Sequence, residues 1–250
     1  MHSDLAGIRS LRARFLAEMD TQIRYDARHV RGMADSYLLV AGDVPVAYGS
    51  VTAMEGSARD TVFECYIEPS WRRSSSELFR ELLAGTGATR IECQSNDRLL
   101  TALLFEFAHG IEADTILFAA GPPAAHPFPG GVVRALRRDD IVFAHADEPP
   151  GDYVLEHHGE VVATGGYFTH YNEPYADLYM EVAPAHRRRG AGTYLVQELI
   201  ARCYAAGLMP AARCALDNAG SRGTLVKAGL SICGFMLAGD VRAAVRTPAG

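Results

Sequence analysis

The chain has no run of eighteen apolar residues, no C-x-x-C pair and no basic-then-apolar N-terminal pattern. The first absence argues against a membrane-spanning helix and the last against a secretory leader. Its five cysteines (Cys65, Cys93, Cys203, Cys214, Cys233) are odd in number and scattered, which suits reduced thiols better than a disulfide frame or a zinc ribbon. A soluble, cytoplasmic protein is expected. No G-x-S-x-G elbow occurs, so the usual hydrolase nucleophile is missing. His157-His158, His170 and His186 lack metal-ligand spacing, and no metal is expected. Basic charge is not in excess either. The net charge of −6 argues against a general nucleic-acid binder.

What is present is ordinary for a globular protein: 48% hydrophobic and 22% charged over 250 residues, enough for one large domain or two small ones. Ile8, Leu11, Phe15, Met19 and Ile23 predict a first helix over 8–25. A hairpin follows (37–41 and 44–54, turning at Gly42-Asp43), then a strand over 61–67 and a helix over 77–84. Further on come a strand at 91–94, a helix over 99–107 and a strand at 116–120. The second half repeats this pattern. Tyr153 to Gly165 aligns without gaps on Tyr37 to Gly49, at an offset of 116 (153 − 37). Pro184 answers Pro69, and Asn218 is matched to Asn96. A steady offset across several elements points to duplication. The expected division is a first domain over 1–121, a Pro/Gly linker over 122–131 and a second domain over 132–250.

The copies differ after their matching prolines. In the second, strand Asp177–Val182 leads through Pro184 into His186-Arg187-Arg188-Arg189-Gly190-Ala191-Gly192-Thr193, then a helix with its stripe at Leu195, Val196, Leu199, Ile200 and Cys203. Such a turn presents unpaired N–H groups at the positive end of a helix dipole, and its glycines let the main chain lie against an anion. It lacks the third glycine of the dinucleotide fingerprint and the Gly-Lys-Ser/Thr of the Walker loop. The first copy is two residues shorter here and offers Arg72-Arg73-Ser74-Ser75-Ser76, without glycine. A shortened turn of that kind should not wrap a pyrophosphate.

Arg187, Gly190 and Gly192 meet the Arg/Gln-x-x-Gly-x-Gly/Ala loop of the GNAT acyltransferase superfamily, and Asn218 through Lys227-Ala228-Gly229 follow that family's Asn … Lys-x-Gly block. The ordered set resembles the family over most of 131–240. The resemblance implies an α/β (α+β) fold of two tandem GNAT-like domains, the first degenerate. Each would be a mixed, mostly antiparallel sheet flanked by helices, with a splayed V between its fourth and fifth strands. It also implies acetyl-CoA as cosubstrate, an N-acetyltransferase reaction by direct attack in a ternary complex, and a small-molecule or peptide amine as acceptor. Cofactor contacts are expected at Val182, Arg187, Arg188, Arg189, Gly190, Ala191, Gly192, Thr193 and Asn218.

For the base, strand alternation puts Asp177 and Glu181 on one face, with Glu181 first and Asp177 second. The family's general-acid tyrosine falls at Leu225 in this chain, and Ser221, four residues earlier, is the hydroxyl taken as its stand-in; a helix cap is its other reading. That departure leaves open a non-catalytic acyl-CoA-binding module, and the loop would equally serve a longer acyl group. Oligomeric state is not legible.

Overall fold

The computed structural model describes residues 1–53, 58–121, 125–146, 149–170 and 172–243. Met54 of the expected hairpin, 122–124 of the expected linker and 244–250 of the expected second domain lie outside these. In chain order the elements are β1 (His2–Ser3), α1 (Leu5–Glu18), α2 (Asp26–Val30), β2 (Ala34–Ala41), β3 (Val44–Ala53), β4 (Arg59–Ile67), α3 (Ser75–Thr86), β5 (Arg90–Gln94), α4 (Arg98–Phe107) and β6 (Ala108–Ala120). Then follow β7 (Gly131–Ala135), β8 (Tyr153–His157), β9 (Glu160–Phe168), β10 (Tyr175–Val182), α5 (Ala191–Ala205), β11 (Met209–Ala215), α6 (Ala219–Lys227) and β12 (Leu230–Val241).

Two compact units emerge: Met1–Asp114 with Phe235–Gly250, and Thr115–Gly234. They do not follow the division expected at 121 and 132. In the first unit β12 pairs antiparallel with β5, Met236 opposite Gln94 through Asp240 opposite Arg90. In the second, the end of β6 pairs antiparallel with β11, Ala211 opposite Ala119 through Ala215 opposite Thr115. Each copy therefore completes its sheet with the other copy's last strand. Linear alignment cannot show this, because an exchanged strand has the same local pattern as one that folds at home.

The first unit runs β1-β2-β3-β4-β5-β12. Asp4 caps α1 by accepting from Gly7 N–H at 2.8 Å, and Ile8, Leu11 and Phe15 bury one stripe against Tyr48 and Tyr66. The helix ends at Glu18, short of the expected Tyr25. The reason is tertiary: the Gln94 amide accepts from Ile23 N–H at 3.0 Å and donates to Ile23 C=O at 2.7 Å, holding that backbone away from helical pairing. Beneath α1 and α2 lies Glu64, wholly buried on β4. It accepts from Arg12 Nε at 3.1 Å and meets His29 Nε2 at 2.5 Å, while Arg12 also reaches Asp26 at 2.8 Å.

Asp97 caps α4 through Leu100 N–H at 3.0 Å, as Asn218 caps α6, so Asp97 rather than Asn96 answers Asn218. Burial pushes the Asp97 carboxyl up from 3.8 to about 6, against the pull of the Leu100 amide. The folded state then binds the proton more tightly than the unfolded chain. This contribution is present at low pH and is lost as pH rises from about 4 to about 6, amounting to at most about 3 kcal/mol. Asp97→Asn keeps the cap and removes the titration. Urea titrations across that window should show a flatter stability profile for the variant; an unchanged slope would count against a buried, titrating Asp97.

The second unit runs β6-β11-β10-β9-β8-β7. Its β8–β9 hairpin repeats β2–β3 closely: the register shifts fall between Leu155 and Glu156, and between Leu39 and Val40. Leu195, Val196, Leu199 and Cys203 of α5 are buried. One difference matters for function. The first unit places α1 and α2 between its first two strands, whereas among the described residues of 136–152 the second has no helix.

Candidate functional site

In the second unit β10 and β11 pair in parallel only from Tyr175 opposite Met209 to Leu178 opposite Ala212. Beyond that, β10 continues to Val182 bonded to β9, and β11 continues to Ala215 bonded to β6. The inner edges, Tyr179 to Val182 and Arg213 to Ala215, have separated. They form an opening V edged with main-chain groups that a bound chain could pair with.

The loop after β10 stands at the end of that strand. Both units start it alike. Arg187 Nε donates to Val182 C=O at 3.0 Å, and Arg72 Nε donates to Ile67 C=O at 3.1 Å. They then diverge. In the first unit a 3-10 turn, Pro69–Ser74, runs straight into α3. In the second the turn stops at His186, and Arg188 (φ 63°) and Gly190 (φ 92°) take left-handed conformations before α5 begins. The two extra residues become an open loop rather than a helical lead-in.

Gly190 is the N-cap of α5 and supplies no side-chain acceptor, and the first helical bond is Tyr194 N–H to Gly190 C=O at 3.0 Å. The N–H groups of Ala191, Gly192 and Thr193 precede that bond, so they have no carbonyl within the helix. Arg188 and Arg189 are exposed and have no acidic partner among the described residues. Cations at the positive end of a helix are unfavourable unless an anion joins them. Gly192 serves packing: a Cβ there would meet Val182 Cγ2 at 3.2 Å, Thr224 Cγ2 at 3.3 Å and Met180 Cε at 3.4 Å.

The same contacts show that Met180 and Val182 face α5, so Asp177, Tyr179 and Glu181 leave the opposite side of the sheet. Asp177 is buried and paired with Arg213 at 2.7 Å. Glu181, also buried, accepts from Ala146 N–H at 3.1 and 3.2 Å, with Arg187 at 3.7 Å. Tyr179 stacks on Phe168 at 4.4 Å. Asn218 Oδ1 accepts from Ser221 N–H at 2.9 Å, so Asn218 is the cap and the Ser221 hydroxyl is not. Leu225 is 6% exposed and fills α6's inner side. Tyr171 lies outside the described residues.

One residue of this face escaped sequence reading. His145 Nε2 lies 2.6 Å from Thr164 Oγ1, and Thr164 is the register partner of Glu181. No motif or spacing marks it, since only a tertiary contact with β9 brings it there. A cleft of about 610 Å³ lies elsewhere, along α5 between Tyr194, Gln197 and Tyr204 and the stretch His126-Pro127. Among the described residues no group of His, Cys, Asp and Glu could hold a metal, and no helix is long and apolar enough to cross a membrane.

Comparison with known proteins agrees with this geometry. Residues 121–230 match the Acetyltransferase (GNAT) family model, whereas no curated protein matches the chain. Among solved structures, a GNAT-family acetyltransferase from Colwellia psychrerythraea superposes with a TM-score of 0.75 at 14% identity, covering 97% of this chain and 99% of that one. A tandem GNAT protein from the clavulanic acid biosynthesis pathway gives 0.59 at 12% identity, covering 100% and 99%. A GCN5-related N-acetyltransferase from Sphaerobacter thermophilus gives 0.50 at 17% identity, covering 84% and 81%. At such identities the likeness is one of fold. The splayed strands and the open helix mouth both fall within the segment 121–230, which matches the Acetyltransferase (GNAT) family model.

Proposed function

We propose that the second unit is an acetyl-CoA-dependent N-acetyltransferase acting on a primary amine, small or peptide-borne, in a ternary complex. The observation that carries this is the pairing of a split strand edge with an uncapped helix mouth in one unit. Amides of the pantetheine arm would pair with main chain near Val182. The diphosphate would sit on the loop from Arg187 to Thr193, with Asn218 at the far wall. Acyl transfer needs few side chains once both reactants are held side by side. A main-chain N–H near Val182 would stabilise the tetrahedral oxyanion. Glu181 and Asp177 supply negative charge on the acceptor face, and Ser221 would offer its hydroxyl to the departing thiolate. We read the protein as cytoplasmic, with no nucleic-acid or membrane partner and no metal.

The first unit, whose turn is continuous helix, keeps the fold without the loop. A second reading is a non-catalytic acyl-CoA-binding module, favoured by Leu225 in the tyrosine's place. A related one is transfer of a longer acyl group. CoA release in the presence of amines, beyond the rate of hydrolysis, separates catalyst from binder.

Acetyl-CoA at about a hundred times its Kd should stabilise the protein by about 2.7 kcal/mol. Gly190→Glu places a negative side chain at a left-handed position facing the same N–H groups and should abolish that shift. A normal shift in the variant would remove the loop from the site.

A further inference from the structure

We propose that His145 takes the proton from the acceptor ammonium, with Thr164 as the residue that positions its ring. The inference rests on the acyltransferase reading above. His145 and Ala146 lie on the sheet face opposite α5, and these adjacent residues tie to two residues that oppose one another across β9 and β10. His145 Nε2 meets Thr164 Oγ1 at 2.6 Å, and Ala146 N–H meets both Glu181 oxygens at 3.1 and 3.2 Å. Phe143 stacks on the imidazole at 4.6 Å and 21°. Thr164 is wholly buried, whereas the imidazole is half-buried and within reach of solvent. The ring is thus held at a hydrogen bond, at a stacked face and through its neighbour's peptide. It stands on the acceptor side of the strand segment where β10 and β11 have parted.

The two carboxylates of this face are already engaged, Asp177 by Arg213 at 2.7 Å and Glu181 by the Ala146 amide. Chemistry separates them further from the role of base. A carboxylate as a class lies about six pKa units below an alkylammonium, and an imidazole only about four, so the proton moves to imidazole about a hundredfold more readily. In the tautomer that carries its N–H on Nε2 and donates it to Thr164 Oγ1, the ring keeps the Nδ1 lone pair for that proton, and among the described residues Nδ1 has no hydrogen-bond partner. Glu181 contributes charge that draws the ammonium in.

The step balances. Nδ1 takes one proton from R–NH3⁺, and the freed nitrogen pair forms the C–N bond at the thioester carbonyl. The C–S bond breaks with its pair on sulfur, and the second proton lost from nitrogen goes to the thiolate. His145 then returns its proton to solvent.

The test follows CoA release with spermidine, lysine and tyramine, whose amines are protonated at neutral pH, and with hydroxylamine, which is not. His145→Ala should slow whichever ammonium acceptor the wild type uses by about 10²–10⁴-fold, leaving hydroxylamine near the wild-type rate. Thr164→Val should share the selective loss, and Thr164→Ser should recover it. Equal loss with both kinds of acceptor would make His145 structural and overturn the proposal, as would an unchanged rate with the ammonium. A wild type that melts higher with acetyl-CoA yet releases CoA with none of the four amines overturns the transferase reading, and this inference with it. Retention of the acetyl-CoA melting shift by His145→Ala separates a lost proton acceptor from a lost fold.

Discussion

Residues 122–250, expressed alone, should fail to give a folded domain, whereas 115–234 should fold and keep the acetyl-CoA melting shift. The first fragment begins after the strand that completes its own sheet. It lacks Ile116, Leu117 and Phe118, each at most 1% exposed in the intact protein, and the five register pairs from Ala119 to Thr115. Burying a large apolar side chain contributes about 1.5–3 kcal/mol, so their loss removes about 5–9 kcal/mol. That is comparable with the whole stability of a domain, about 5–15 kcal/mol. The fragment also carries 235–241 without β5 to pair with, leaving a bare strand that favours association. The second fragment has β6 and stops before that segment. Circular dichroism melts and gel filtration would decide: a monomeric 122–250 that melts cooperatively would show that the exchanged strand is dispensable.

Glu64→Gln should destabilise the protein by about 3–5 kcal/mol while leaving acetyl-CoA binding in place. Glu64 is 0% exposed and balances Arg12, itself 8% exposed, with His29 on the other oxygen. Removing the buried anion leaves the guanidinium with only Asp26 at 2.8 Å, a partner nearer solvent, which costs more than the net contribution of the ion pair. Replacing the three together, with Glu64→Leu, Arg12→Met and His29→Leu, removes the buried polar groups, leaves Asp26 at the solvent-facing edge, and should recover most of the loss. Chemical denaturation of the wild type and the two variants measures this. A single-variant loss below about 1 kcal/mol would mean water reaches the cluster. The position is informative beyond stability. Glu64 and Tyr179 lie 115 apart, the offset of Pro69 and Pro184, so the first unit places helices and a buried ion cluster on the face where the second places His145 and Ala146.

Several elements were legible because their signals are local. The 3.6-residue stripe of α5, the turn at Gly42 and the glycines of the 187–193 loop each depend on neighbours within a few residues. The two-residue difference after Pro69 and Pro184 was legible as well, and it became the contrast between continuous helix and open loop. The first helix was read seven residues too long, because apolar spacing continues through Ile23 while the Gln94 side chain claims that residue's backbone. Ser221 was read as a possible cap, but Asn218, one turn earlier, already accepts its N–H.

The order of residues determined, without help, the stripe of α5, the paired hairpins, the repetition of that pattern, and the two extra residues with their glycines that only the second occurrence carries. These follow from periodicity and backbone freedom, which a short window contains. Tertiary structure decided which sheet each last strand joins and which residue of 136–152 lands beside Glu181. Both depend on pairings between residues far apart in the chain, and those are selected by the burial of whole faces rather than by local preference.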